Sequence, residues 1–196
     1  YGIALTDGLF MSSRDGQSSM LGDAFIRPGQ RGTDNWCYGD NYQCWGMVET
    51  KAVIADADDE IATEGYCLGD GDKLRRFTLR KDGFASMHAP SEGGAFTTKP
   101  IIHGDHLLLN FSTSAAGTIQ GELQDADGKP VPGFALNDCG DLFGDTLERI
   151  VTWMQRADLG KLAGQPIRLH FTLIEADLYS FQFVPFEPSQ EVPPKP

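Results

Sequence analysis

The residues best suited to chemistry cluster early, in Asn35-Trp36-Cys37-Tyr38-Gly39-Asp40-Asn41-Tyr42-Gln43-Cys44-Trp45. Trp36, Tyr38, Tyr42 and Trp45 are interleaved there with Asp34, Asn35, Asp40, Asn41 and Gln43. A sugar ring offers a flat face of C–H bonds that stacks on Trp or Tyr, and its hydroxyls need carboxylate and amide partners. The pattern predicts binding of a polysaccharide or oligosaccharide through Trp36, Tyr38, Asp40, Asn41, Tyr42 and Trp45. The competing use of the same aromatics is to cement neighbouring β-layers.

Hydrolysis of a glycosidic bond would need two carboxyl groups, ~5 Å apart in a retaining enzyme or ~6.5–9.5 Å apart in an inverting one. Among the 28 acidic residues many pairs could meet that condition by chance. Glu49 and Glu64 fall on predicted strands and are the catalytic candidates, set against a solvated strand face that explains them as well. The four histidines, His88, His103, His106 and His170, show neither a Ser-His-Asp motif nor metal-ligand spacing. His103 and His106, close together on a loop, come nearest to a ligand pair. Asp125 and Asp127 lack the following glutamate of an EF-hand loop and read better as a hairpin turn. No cofactor is expected; a structural calcium held by loop carboxylates and carbonyls is the single candidate.

The elements that must position these groups follow from period-2 patterning. In His106–Leu136, Leu107, Leu109 and Phe111 share one face and Asn110 and Ser112 the other. The small run Ser114-Ala115-Ala116-Gly117 reads as a turn. Ile119, Gly121 and Leu123 then alternate with Thr118, Gln120, Glu122 and Gln124, and Asp125-Ala126-Asp127-Gly128 closes a tight turn. Near the C-terminus Ile167, Leu169, Phe171 and Leu173 alternate with Arg168, His170 and Thr172, and Tyr179, Phe181 and Phe183 with Ser180 and Gln182. Two apolar sheet faces that bury each other predict an all-β fold, an antiparallel, jelly-roll-like β-sandwich.

Upstream, Ile3–Leu5, Leu9–Ser13, Ala24–Ile26, Gly46–Ala55 and Glu60–Cys67 are short strands separated by turns, as in a partial propeller blade or β-meander. Leu74–Arg80 and Phe84–His88 flank Lys81-Asp82-Gly83 as a hairpin, and Leu147–Met154 reads as a strand covered on both faces. Asp158 caps a helical turn that Gly164 ends. The expected division is 1–72 for the blade or meander, 73–184 for the sandwich and 185–196 for a Pro-rich tail.

Composition bounds the function. The 196 residues can bury a sizeable core, and a formal net charge of −12 argues against nucleic acid, since phosphate binding needs a basic face. No apolar run approaches the ~20 residues of a membrane span, so no membrane partner is expected. Of the four cysteines, Cys37, Cys44, Cys67 and Cys139, the first two flank a turn-like segment that could join them. Three complete pairings are open to the four, as are buried free thiols.

Several runs carry a resemblance. Lys73-Leu74-Arg75-Arg76-Phe77-Thr78-Leu79-Arg80-Lys81-Asp82-Gly83-Phe84, Asn110–Gly117, Gln124–Phe134 and Ala176–Phe181 resemble the C-terminal β-sandwich of secreted bacterial proteins. Those proteins are distant relatives of the invertase and levanase kind of five-bladed propeller glycoside hydrolases. Asp7–Gly16 with Ala24–Gly29 resembles a late blade of the same proteins. The resemblance implies an extracellular or periplasmic, carbohydrate-associated accessory region. It also implies that the early blades, which carry the catalytic carboxylates of invertase-type enzymes, are missing from this chain. Arg14-Asp15 is similar to the start of their Arg-Asp-Pro motif, but Gly16 follows, so Asp15 is a catalytic candidate set against a turn residue. An incomplete propeller leaves strand edges open, which predicts a partner for residues 1–66: the missing propeller part or a second copy of the chain.

Overall fold

The structure is a computed structural model that describes residues 7–13, 16–27, 42–43, 48–50, 60–67, 73–102, 104–162 and 164–185. The fold is all-β and antiparallel, and the chain divides into two compact units, Tyr1–Phe84 and Ala85–Pro196.

In the first unit β1 (Gly8–Ser13) pairs with β2 (Ser18–Ile26). Gly16 lies between them at φ 82°, as the expected turn requires. Phe10 stacks on Phe84 at 4.7 Å, with Phe25 5.8 Å from Phe10. A second sheet is built on β5 (Glu60–Cys67), after β3 (Tyr42–Gln43) and β4 (Val48–Thr50), which both pair with it. The strand β6 (Lys73–Arg80) runs along β5 from Glu60↔Arg80 to Cys67↔Lys73. Residues 73–84 lie with the first unit, and the two units divide at Phe84–Ala85, against an expected division at 72. The Lys81–Gly83 turn forms, with Asp82 at φ 52° and Gly83 N–H bonded to Arg80 O at 2.9 Å. The strand after it does not return along β6, so the expected hairpin is absent. Expected strand Ile3–Leu5 lies outside the described residues.

In the second unit short strands β7 (Met87–Ala89), β8 (Gly94–Thr97) and β9 (Ile101–Ile102) all pair with β12 (Pro166–Val184). On its other side β12 pairs with β10 (His106–Gln124), and β10 pairs with β11 (Asp145–Ile150). The two segments expected to face each other across the core are therefore hydrogen-bonded neighbours. A straight strand of 19 residues would reach ~63 Å, far beyond the width of a unit this size, so the ribbon has to bend. It bends where Thr113 pairs with Ala176 but Thr118 with Ile174, so that 114–117 bulge out opposite Glu175, at φ 43°. The run Ser114–Gly117, expected to reverse the chain, instead continues the strand as this bulge.

The curl brings both halves of the inner face together. Leu107, Leu109, Phe111, Ile119, Leu123, Ile167, Leu169, Phe171 and Trp153 are buried in one core, with Phe181 and Phe183 packed at its margin. A second bulge, at Tyr179 between Phe111↔Leu178 and Asn110↔Ser180, turns Tyr179 off that face, and its hydroxyl lies 3.2 Å from Ser112 Oγ. Gly121 is the floor of the core. Its missing side chain leaves room for the Phe171 ring, its carbonyl accepts the Trp153 indole N–H at 2.8 Å, and its N–H points to Cys139 Sγ at 3.4 Å.

Two local expectations are met. Asp158 Oδ1 accepts the Gly160 N–H at 2.7 Å, capping a 3₁₀ turn over Gly160–Leu162, and Gly164 follows at φ 81°. Asp125 Oδ1 accepts the N–H groups of Asp127 and Lys129 at 2.9 Å, holding the tight turn before Gly128. The turn Trp153–Arg156 is less well chosen. Its central residues Met154 and Gln155 sit at φ 48° and 64°, the left-handed pair that a two-residue hairpin turn demands and Asn-Gly fills best. Met154→Asn with Gln155→Gly is therefore expected to raise stability by ~1 kcal/mol, read as a higher thermal midpoint. An unchanged or lower midpoint would contradict the turn geometry.

Candidate functional site

Two of the carboxylate candidates, Glu49 and Glu64, lie on β4 and β5. Glu49 on β4 is half exposed and pairs with Lys81 Nζ at 2.7 Å, a surface ion pair of little energetic weight. In register Glu49 lies opposite Ile61, and Glu64 is three positions further along β5. Directly opposed residues share a sheet face and successive residues alternate, so Glu49 and Glu64 belong to opposite faces. In register Glu64 lies opposite Arg76 and Glu60 opposite Arg80, so two of the four basic positions of β6 face acidic positions on its neighbour.

Asp15 lies outside the described residues, as do Trp36, Tyr38, Asp40, Asn41 and Trp45 of the proposed sugar loop. Tyr42 belongs to β3 and pairs with Tyr66. His103 is also outside the described residues, and His106, its expected companion, is buried with Nδ1 3.1 Å from Ala157 O. That bond ties the start of β10 to the loop before Asp158. Among the described residues no three His, Cys, Asp or Glu side chains assemble in a way that could hold a metal ion. Asp125 Oδ1 accepts the backbone N–H groups of Asp127 and Lys129.

Two polar clusters join residues far apart in the chain. In the first, Asp177 Oδ1 accepts the Ser86 hydroxyl at 2.7 Å and lies 3.1 Å from His88 Nδ1. The residue types are those of a hydrolase triad, but their order is not: the carboxylate stands between hydroxyl and imidazole. A triad needs the imidazole on the hydroxyl to take its proton. Here serine and histidine converge on one oxygen, which ties β7 to β12 and leaves Ser86 without a general base.

The second cluster crosses three strands. Thr97 on β8, His170 on β12 and Glu122 on β10 are opposed in register on the face away from Phe171. Thr97 Oγ1 lies 2.8 Å from His170 Nδ1, the spacing of a hydroxyl and its base. The acid does not complete the relay. Glu122 is buried, with Oε1 accepting Gln124 Nε2 at 2.8 Å and Oε2 accepting Leu136 N–H at 3.1 Å. Its carboxyl group thus holds the loop after β10. Around it Gln120 Nε2 donates to Asp141 at 3.0 Å, and Arg168 Nε to Ala126 O at 3.2 Å. The result is a row of hydrogen-bonding side chains tied partly to one another and partly to the backbone of neighbouring loops. Sequence alternation places His170 outward; nothing in the sequence pairs it with Thr97, which is 73 positions away.

Cys139 is a buried free thiol. Every complete pairing of the four cysteines needs it, so at most one disulfide can form among Cys37, Cys44 and Cys67. Burial pushes its pKa up, the Gly121 N–H partly offsets this, and Asp141 adds a further upward push. The unfolded thiol ionises near ~8.5 and the folded one higher. Its contribution to stability is therefore complete below that value and is lost as pH rises through the folded value. Alkylation of Cys139 in the native protein at pH 8, followed by peptide mass mapping, should run roughly 100-fold slower than in the unfolded chain. Equal rates would mean the thiol is open to solvent.

No family model, curated protein or solved structure matches this chain.

Proposed function

We propose that the chain is a carbohydrate-associated accessory region, binding or structural, of a secreted glycoside-hydrolase-like protein, and that it is not catalytically complete by itself. The observation that carries this reading is the interleaving of Trp36, Tyr38, Tyr42 and Trp45 with Asp40, Asn41 and Gln43, which supplies stacking surfaces and hydroxyl partners in one short stretch. The runs that resemble propeller-associated sandwiches support it. The backbone register, with Glu49 opposite Ile61 and Glu64 three positions further along β5, also favours it over self-sufficient hydrolysis by that pair. The partner in this reading is a polysaccharide or oligosaccharide met outside the cytoplasm.

A second reading, a structural or assembly module without a sugar site, is favoured by the two polar clusters, whose hydrogen bonds are directed within the chain. A glycan array separates the two. Binding to a defined glycan class, weakened roughly 5- to 13-fold by Trp36→Ala or Trp45→Ala, is the expected result, since stacking on one aromatic contributes about 1–1.5 kcal/mol. Silence across the array would overturn the binding reading and leave the structural one.

A further inference from the structure

No further inference is drawn: the strongest candidate, the cross-strand row of Thr97, His170 and Glu122 on the outer face of β8, β12 and β10, assigns no ligand, because both oxygens of Glu122 are bonded within the chain and nothing in the structure shows what covers that face.

Discussion

Gly117→Ala is expected to destabilise the second unit by about 3 kcal/mol or more, against a change below ~1 kcal/mol for Gly140→Ala. Gly117 sits at the bend of the long ribbon, where β10 bulges past β12. A methyl group there would lie 2.4 Å from Glu175 O, 2.8 Å from Ile174 O and 3.0 Å from Ser114 N. All three are backbone atoms. No side chain can rotate away, so the two strands must separate where the curl is tightest. That curl brings Leu109 and Phe111 onto the same core as Leu169 and Phe171, and the disturbance reaches the core. Gly140 has nothing within 4 Å of the same position and tests the intrinsic glycine-to-alanine effect alone. Urea denaturation of the two variants makes the comparison. Equal midpoints would show that the bend has room the structure denies it.

The bend also explains why the sequence was legible in parts. Alternation is local, so Leu107, Leu109 and Phe111, and separately Leu169, Phe171 and Leu173, reveal their inward face within a few residues. Which strand lies beside which is not local. Nothing in Asn110 or Ser180 announces that they pair, and two patterned ribbons read equally well as facing sheets or as neighbours in one sheet. Small residues at Ser114–Gly117 permit tight curvature of either kind, a reversal or a bulge. Each irregularity, at 114–117 of β10 opposite Glu175 and at Tyr179 of β12, shifts the phase of the alternation, and the second carries Tyr179 off the face of Phe181. The relation between Glu49 and Glu64 is non-local in the same way. That Glu49 and Glu64 lie on strands is readable, but whether they share a face depends on the Glu49↔Ile61 register.

Phe171→Ala should cost ~3–5 kcal/mol, towards the upper end of that range, while His170→Ala, one residue away, should cost under ~1.5 kcal/mol. Phe171 is fully buried, with ring centroids of Phe96 at 5.3 Å and Phe181 at 6.2 Å. Beneath it lies Gly121, which has no side chain to move into a vacated space, and beside it Trp153, held in place by its bond to the Gly121 carbonyl. The cavity left by truncation would therefore persist, and the size of the residual cavity is what separates costly core truncations from tolerated ones. His170 points to the other face, and its loss removes one partly exposed bond to Thr97. Denaturant unfolding of both variants reads strand register directly, because a slip of one residue exchanges the two faces. Should His170→Ala prove the costlier change, the inner and outer faces of β12 would have to be interchanged, and with them every cross-strand pair from Gln124↔Arg168 to Thr118↔Ile174.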